Sequence, residues 1–314
     1  MIRYYNYMPF VDSVRSLLPE QIVGAIARWR RNARRGLIKR LKPLSEERFK
    51  QILGDDLGLE SADIVYIGSS VSDLSLDFSV TRVLPLIREV IGPRGTMLFP
   101  NYPNHRPTSS YEWIMQGNIF DVRSTPSYTG ALTELARTHP DAVRSLHPVK
   151  SVCAIGPLSR ELTGGHHLLE YPYDVGSPYR NVIAAGGKIV GIGIWTQYLS
   201  YVYTVDDALK DNPPVETYYP EPVEATCIDY DGREVRVRTR AHNMANVVHD
   251  IPPFFKEHVP ADVCEDLVID GMRFFRADGP KLFDTLLGLA RRGITVYPRE
   301  LYSPRFLNAL DQGQ

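Results

Sequence analysis

Three serines at a predicted strand–helix junction are the first candidates for chemistry. Ser69, Ser70 and Ser72 follow the apolar, β-branched run 63–68, which predicts a buried strand, and precede a helical stretch. Backbone N–H groups and short hydroxyls at such a junction can hold a phosphate or the amide-rich arm of a cofactor. Serines there are also ordinary helix N-caps, so both roles stay open. The sequence lacks GxxxxGK[ST] and a GxGxxG after a strand, which disfavours ATP-type and NAD-type phosphate loops.

A second group of polar residues lies between positions 120 and 157. Thr125 and Ser127 precede a predicted helix that begins near Gly130, so their hydroxyls and the helix dipole face its entry. Arg144 and His147 lie in a loop ahead of a predicted strand, a usual place for site residues. The alternatives are a structural ion pair for Arg144 and a histidine hydrogen-bonded into the fold for His147.

The order of several motifs resembles the aminoglycoside 3-N-acetyltransferases and their sugar-modifying relatives. That family has a Ser-Ser turn after a strand, GPxGT, F-D-x-x-x-T-P-S-x-x-G-A-L, R-S-x-H-P, a G-P-x-S-P-type segment and G-K-V. The corresponding segments here are Gly68-Ser69-Ser70, Gly92–Thr96, Phe120–Leu132, Arg144–Pro148, Asp174–Pro178 and Gly187–Ile189. The resemblance covers about residues 45–300, and the shared order of these motifs makes it specific.

The resemblance implies acetyl-CoA as acyl donor and an amine as acceptor. Ser69, Ser70 and Ser72, with Thr125, Ser127 and Arg144, would contact the cofactor. In this family a histidine backed by a carboxylate deprotonates the amine. A general base is needed because the amine must lose a proton while it attacks a thioester.

The segment that holds this histidine departs from the family pattern. The family's T-F-x-H-x-x-E-E corresponds to Ser200–Asp207, which keeps carboxylates at Asp206 and Asp207 but has Tyr203 in place of the histidine. Tyrosine, with an ordinary pKa near 10, is a poor base at neutral pH. We therefore take His147, Tyr203 and Asp206 as the catalytic candidates. An acceptor amine of low pKa, loss of catalysis, and a packing role for Tyr203 are the alternatives.

Two smaller departures put Gly68 and Lys150 where the family has histidines. On the acceptor side, His166 and His167 match a T-x-G-H segment of the family, and we predict that they contact the substrate with Asp174 and Asp207. Acidic side chains permit the pocket that a polycationic aminoglycoside requires. His242 and His249 are seven residues apart, which is not a metal pair by itself, and we predict no metal site.

These residues require an α/β fold to position them. β-α-β units recur from position 45 onward, which predicts a mixed β-sheet with helices on both faces. Asp231-Gly232 between two alternating runs predicts a β-hairpin elaboration. The predicted elements are helices at 45–53, 78–91, 130–138 and 279–292, and strands at 63–68, 95–100, 151–154, 188–194, 224–230 and 234–239.

A basic amphipathic prefix, residues 1–44, precedes the predicted acyl-CoA-dependent transferase domain, residues 45–314. Between Arg28 and Lys42 the prefix carries eight Arg or Lys residues without an acid, interleaved with apolar residues at helical spacing. Residues 21–42 could therefore contact an anionic membrane surface, the alternative being a solvated helix whose arginine stems pack on the protein. The net charge of −1 disfavours nucleic acid as a partner.

The sequence as a whole predicts an acetyl-CoA-dependent N-acyltransferase. Its predicted acceptor is an amino sugar in a polysaccharide or glycan precursor, with aminoglycoside acetylation and a non-catalytic binding protein as alternatives. Sparse cysteines and the absence of an apolar run of about 20 residues predict a cytoplasmic protein, peripheral to the inner face of the membrane if the prefix binds it. The oligomeric state stays open.

Overall fold

Within the described residues, seven strands form one mixed β-sheet. The structure is a computed structural model and describes residues 33–34, 36–104 and 109–312. In spatial order the strands are β4 (Val143–Arg144), β5 (Val152–Ile155), β2 (Thr96–Pro100), β1 (Ile64–Ser69), β6 (Lys188–Ile192), β10 (Met272–Asp278) and β9 (Cys264–Ile269). β1 pairs in parallel with β2 and β6, and every other pairing is antiparallel. The predicted mixed sheet is confirmed.

Helices cover both faces of this sheet. They are α1 (Glu46–Gln51), α2 (Val83–Ile91), α3 (Ser110–Met115), α4 (Ala131–Arg137), α5 (Ser159–Thr163), α6 (Pro178–Ala184), α7 (Tyr203–Ala208), α8 (Ile251–His258), α9 (Gly279–Ala290) and α10 (Pro304–Asp311). Because strand side chains alternate between faces, Val65 and Ile67 of β1 pack in the core with α2 and α4. Tyr66 packs in the opposite core with α6 and α9.

In the described part of the chain, a smaller sheet of three strands stands apart from the first. β7 (Val223–Ile228) and β8 (Glu234–Thr239) are antiparallel, and β3 (Phe120–Asp121) joins β7 in parallel. The turn contains Gly232 at φ 79°, a left-handed conformation that glycine adopts without strain. The predicted hairpin around Asp231-Gly232 is therefore present.

The strand order makes one edge of the main sheet the natural place for a site. From β1 the chain continues to β2 on one side and later returns as β6 on the other. Where the order reverses, the loops after the strands separate and leave a crevice at their carboxyl ends. Ser69, Pro100 and Ile192 end these three strands, so the residues that follow them border this crevice.

The predicted prefix lies mostly outside the described residues, so membrane contact by residues 21–42 stays a prediction. Its described end packs on the main domain: Ile38 and Leu44 are buried, and Leu44 N–H donates to Ser75 O at 2.8 Å. Arg34 forms an ion pair with Asp73 at 3.2 Å. No helix in the described ranges combines the length and apolar character that a membrane crossing requires.

Candidate active site

The serine turn follows β1 at the crevice. Ser70 Oγ donates to Asp73 Oδ2 at 2.9 Å and lies 3.3 Å from Ser72 Oγ, so these two hydroxyls bond within the turn. Ser69 Oγ is buried and has no hydrogen-bond partner among the described residues, which leaves it for a ligand. Gly193, after β6, approaches closely: a Cβ there would lie 2.3 Å from Ser70 O. The turn therefore needs a glycine beside it.

The predicted cofactor loop lies against this turn. A Cβ on Gly130 would lie 3.5 Å from Ser69 O, which places the start of α4 beside the serines. Thr125 Oγ1 accepts from the Asp121 N–H at 2.8 Å, and Ser127 Oγ lies 3.1 Å from Thr133 Oγ1. Both hydroxyls thus hold the loop in shape. A direct cofactor contact by Ser70, Ser72, Thr125 or Ser127 stays a proposal.

Arg144 does not support the predicted cofactor contact. Its side chain is 3% exposed, and its guanidinium donates to Asn101 O at 2.6 Å, to Ser151 Oγ at 3.2 Å and to Thr125 O. The same group lies 4.6 Å from the centre of the Phe120 ring. Burial lowers the pKa of Arg144 to about 9, which still leaves it charged at neutral pH. Because its guanidinium donates to acceptors within the protein, Arg144 links the loops that contain Asn101, Thr125 and Ser151.

His147 and His166 are both hydrogen-bonded within the protein, which favours structural roles over the predicted ones. His147 Nδ1 accepts from the Val149 and Lys150 N–H groups at 3.3 and 3.0 Å. Its other nitrogen must then carry the proton, which it donates to Thr239 Oγ1 at 3.1 Å. Burial, together with the stacked His166 ring, lowers the pKa of His147 well below its ordinary value. With both nitrogens used, His147 cannot receive a proton from a substrate.

His166 follows the same logic. Its Nε2 lies 2.9 Å from Pro172 O, which can only accept, so Nε2 carries the proton and Nδ1 accepts from Ser145 Oγ at 2.9 Å. Burial lowers the pKa of His166 to about 3. His167, next along the chain, is half-buried, and its acceptor contact stays a proposal.

Tyr203, at the position of the family's histidine, lies in a cluster of aromatic side chains. Its hydroxyl is 3.0 Å from His249 Nε2, and its ring centre is 4.5 Å from that of His242. Burial is the main cause that raises the pKa of Tyr203, so the hydroxyl stays protonated at neutral pH. His249 Nδ1 and His242 Nε2 are buried without hydrogen-bond partners among the described residues. Two histidines from elsewhere in the chain thus surround the tyrosine.

The two aspartates of α7 differ in access. Asp207 is buried, with Oδ1 accepting from the Tyr218 hydroxyl and Oδ2 from the Tyr173 N–H, both at 2.7 Å. Burial raises its pKa to about 8. Because both oxygens accept hydrogen bonds within the protein, the structure does not favour the predicted substrate contact of Asp207. Asp206 accepts from the Tyr297 hydroxyl, and burial raises its pKa to about 7.

A cavity of about 470 Å³ opens beside α7. Asp206 lines it, and so does Tyr218, whose ring stacks on His242 at 4.5 Å. Lys210, Arg240 and Arg305 bring positive charge to its walls. Asp174, which the sequence predicts to contact the substrate, forms an ion pair with Lys210, one of the cations of the cavity wall. The cavity adjoins the aromatic side chains around Tyr203, because Tyr218 lines the cavity and stacks on His242, which contacts Tyr203.

Tyrosines connect this cluster to the crevice. Tyr102, two residues after β2, has its hydroxyl 2.8 Å from that of Tyr179 and 3.3 Å from Ser200 Oγ. Lys150, at another family histidine position, has its ammonium 4.6 Å from the centre of the Tyr102 ring. Sequence reasoning missed Tyr102, and the run of tyrosines near the motifs was its only signal. In the described ranges, no group of three or more His, Cys, Asp or Glu residues could hold a metal ion.

Comparison with known proteins identifies the family. The sequence profile of the aminoglycoside 3-N-acetyltransferases matches residues 69–266, well over half of the chain. The chain belongs to the aminoglycoside 3-N-acetyltransferase family. The matched range contains Ser69, Tyr203, Asp206 and His249, so the site described above lies within the residues that the family profile matches.

Relatives in this family match over part of their length. Aminoglycoside N(3)-acetyltransferase IX of Micromonospora chalcea is 28% identical over 163 residues, which cover 48% of this chain and 57% of the relative. Aminoglycoside N(3)-acetyltransferase VII of Streptomyces paromomycinus is 28% identical over 169 residues, covering 50% and 58%. The chain therefore spans less than two thirds of the curated relatives that it matches.

Solved structures of aminoglycoside acetyltransferases share the fold. AAC-IIIb in binary complex with CoASH has a TM-score of 0.66 at 20% identity, with 82% of this chain and 100% of that chain covered. AAC(3)-Xa has a TM-score of 0.67 at 20% identity, covering 86% and 99%. AAC-VIa bound to sisomicin has a TM-score of 0.63 at 22% identity, covering 78% and 96%. The predicted family and fold class are confirmed.

Proposed function

We propose that this protein is an acetyl-CoA-dependent N-acetyltransferase that acts on an amino group of an amino sugar. The observation that carries the proposal is the position of α7 between the crevice and the cavity. Ser200, just before α7, lies 3.3 Å from the hydroxyl of Tyr102, which follows β2 at the crevice, and Asp206 of α7 lines the cavity. A donor at the crevice and an acceptor in the cavity would meet near Tyr203.

Acetyl-CoA as co-substrate is supported by the family and by the relative solved with CoASH. The residues present fit such a group: Ser69 offers a buried hydroxyl without a partner among the described residues, and glycines flank the turn. When bound, acetyl-CoA supplies an acetyl group activated as a thioester. The protein's part is to position the amine, accept its proton and exclude water from the acetyl group.

For the acceptor, the comparisons support aminoglycosides better than the polysaccharide precursor predicted from the sequence. The curated relatives are named for N(3)-acetylation of aminoglycosides, and AAC-VIa was solved with sisomicin. Three tyrosines of the cavity, Tyr171, Tyr218 and Tyr219, offer the flat apolar surfaces on which sugar rings pack. We therefore place an amino sugar of the aminoglycoside class first.

The charges of the cavity favour a second candidate, an amino sugar with few positive charges. Lys210, Arg240 and Arg305 line the cavity, against the carboxylates Asp206 and Glu216. Burial raises the pKa of Asp206 to about 7, so this carboxyl is only partly ionised at neutral pH. A polycation gains little from such walls, whereas a phosphate or carboxylate on an amino sugar would find a cationic partner in Arg305, since Lys210 and Arg240 already pair with Asp174 and Glu170.

Release of free CoA thiol tests the function and separates the acceptors. The protein would be mixed with acetyl-CoA and, in turn, sisomicin, glucosamine and glucosamine 6-phosphate, with thiol release followed by a chromogenic reagent. Cys153, Cys227 and Cys264 are buried, so the background from the protein should be low. Sisomicin as the best acceptor would support the first candidate, and the phosphorylated sugar the second. The proposal would be refuted if the protein did not bind acetyl-CoA in calorimetry and released no thiol with any of the amines.

A further inference from the structure

Acetyl transfer to an amine needs a proton acceptor, and most of the candidate groups already have hydrogen-bond partners within the protein. Both nitrogens of His147 and of His166 bond within the protein, as do both oxygens of Asp207. Asp206 Oδ2 accepts from Tyr297, and burial raises its pKa to about 7. These groups either cannot accept a further proton or are already partly protonated.

His249 differs from them because the hydrogen-bond partner of its Nε2 is Tyr203 itself. It lies between β8 and α8, 46 residues after Tyr203, and its Nε2 lies 3.0 Å from the Tyr203 hydroxyl. Its Nδ1 is buried and has no hydrogen-bond partner within the described ranges. Burial lowers its pKa, so the imidazole is neutral at pH 7 and can accept a proton. The hydroxyl of Tyr203 is then the donor in this hydrogen bond.

We propose that Tyr203 and His249 form a proton relay that replaces the histidine of the family, an inference that rests on the acetyltransferase function proposed above. Tyr203 is the catalytic residue that contacts the amine, and His249 acts through it. The pair lies beside the acceptor cavity because Asp206, one helical turn after Tyr203, lines that cavity, as does Tyr218, which stacks on His242.

The relay accounts for the proton that the amine loses and for the proton that the leaving sulfur gains. The amine, in its unprotonated form, attacks the acetyl carbonyl carbon, and a C–N bond forms. The amine proton passes to Tyr203 Oη as the hydroxyl proton passes to His249 Nε2, so no tyrosinate accumulates. The C–S bond breaks, and the proton returns from His249 through Tyr203 to the leaving sulfur. The products are the acetamide and the free CoA thiol.

His242 has a positioning role in this arrangement. Its ring lies between Tyr203 at 4.5 Å and Tyr218 at 4.5 Å, which holds the tyrosine beside His249. Burial is the main cause that lowers the pKa of His242, and nearby Lys150 and His249 lower it further. A neutral His242 adds no charge that would oppose protonation of His249.

The groups that face the pair set its pH dependence. The Tyr297 ring lies 6.1 Å from that of His249, Asp206 lies one turn along α7 from Tyr203, and Lys150 and His242 complete the surroundings. Burial opposes an added proton on His249, whereas burial and the Asp206 charge raise the pKa of Tyr203 and keep its hydroxyl protonated. Since burial dominates, we expect the acid limb of kcat/KM to lie below pH 6.5, the ordinary pKa of histidine.

The test compares His249→Gln and Tyr203→Phe with the wild type and with His139→Gln, a control remote from the cluster. His139 lies in the turn after α4, where its ring accepts from the Asp141 N–H. Each variant would be checked by circular dichroism and acetyl-CoA calorimetry. We expect both site variants to bind acetyl-CoA within about twofold of the wild type, and kcat to fall about a hundredfold. The control should keep wild-type activity.

Two further readouts distinguish a relay from a structural contact. The double variant should be no slower than the slower single variant, because the two residues act as one unit. In Tyr203→Phe, the ¹⁵N signal of His249 Nε2 should move, because its hydrogen bond is lost. Folded His249→Gln with kcat within threefold of the wild type would overturn the relay alone. A wild-type protein that acetylates no amine would overturn the proposed function and the relay together.

Discussion

Arg144→Met tests whether the arginine of the R-S-x-H-P motif is structural. The substitution keeps a long apolar stem beside Phe120 but removes a cation that donates to Thr125 O, Asn101 O and Ser151 Oγ. The three acceptors belong to different loops, and Thr125 lies in the loop beside the serine turn. We therefore expect the variant to lose stability.

The magnitude follows from which acceptors keep a partner. Asn101 O also accepts from Ser151 Oγ, so that carbonyl and that hydroxyl remain bonded to each other after the substitution. Thr125 O loses its donor, and an unpaired buried polar group costs about 1–3 kcal/mol. Loss of the guanidinium contact with Phe120 adds about 1 kcal/mol. Relief from desolvating the cation offsets part of this, so we expect a loss of about 2–3 kcal/mol.

Urea unfolding gives the free energy of unfolding, and calorimetry gives acetyl-CoA affinity. Arg94→Met is the control, because Arg94 is exposed and a surface change costs within about 0.5 kcal/mol. We expect Arg144→Met to lower stability while the folded variant binds acetyl-CoA within about threefold of the wild type. Unchanged stability with acetyl-CoA binding lost would refute this reasoning and restore the predicted cofactor contact.

Three further predictions follow from burial, close packing and charge. Asp206 has its pKa raised from 3.8 to about 7, so the folded state binds this proton more tightly than the unfolded state. The free energy of unfolding should fall as pH rises from about 4 to about 7, by on the order of 4 kcal/mol, and urea unfolding of Asp206→Asn should show a smaller fall. Gly193→Ala should lower Tm more than Gly186→Ala: both glycines have positive φ, but only at position 193 would a Cβ meet Ser70 O at 2.3 Å. Arg305→Glu should lower KM for sisomicin several-fold at low salt and less at high salt, and a KM independent of this charge would place the acceptor elsewhere.

Much of the main sheet was predictable because its central strands are buried on both faces and read as apolar runs. Strands β1, β2, β5 and β6 were expected within about two residues of their ends, since neither face of these strands needs polar residues. The edge pair β9 and β10 was not predicted. Charged residues such as Glu265 and Arg276 interrupt its pattern, and the two form an ion pair at 3.0 Å.

A signal for this edge pair was nevertheless present. Asp270-Gly271 joins β9 to β10, with φ angles of 50° and 81°, as Asp231-Gly232 joins the hairpin that was predicted. Asp-Gly between two strand-length segments indicates a tight hairpin turn. The turn chemistry was therefore a better guide here than the apolar pattern, because an edge strand exposes part of its surface.

The candidate site was predictable as a location but only partly as a set of contacts. Motif order placed Ser69, Thr125 and Tyr203 in one region, because backbone path follows from the fold that the motifs share. Motif order could not show that the side-chain nitrogens of His147 and Arg144 form their hydrogen bonds within the protein. That property depends on partners distant in sequence, such as Thr239, 92 residues from His147.

The same limit explains why His249 escaped prediction. A histidine is missing where the family has one, and the local sequence offers only Tyr203, whose hydroxyl cannot by itself serve as a base at neutral pH. Whether a tyrosine can pass a proton depends on its hydrogen-bond partner, and that partner lies 46 residues away in an irregular segment without helical or strand periodicity. A substitution that removes a base from one segment therefore makes histidines in every other segment candidates. The candidate worth testing first is the histidine whose ring nitrogen the fold brings within hydrogen-bond distance of the substituted side chain.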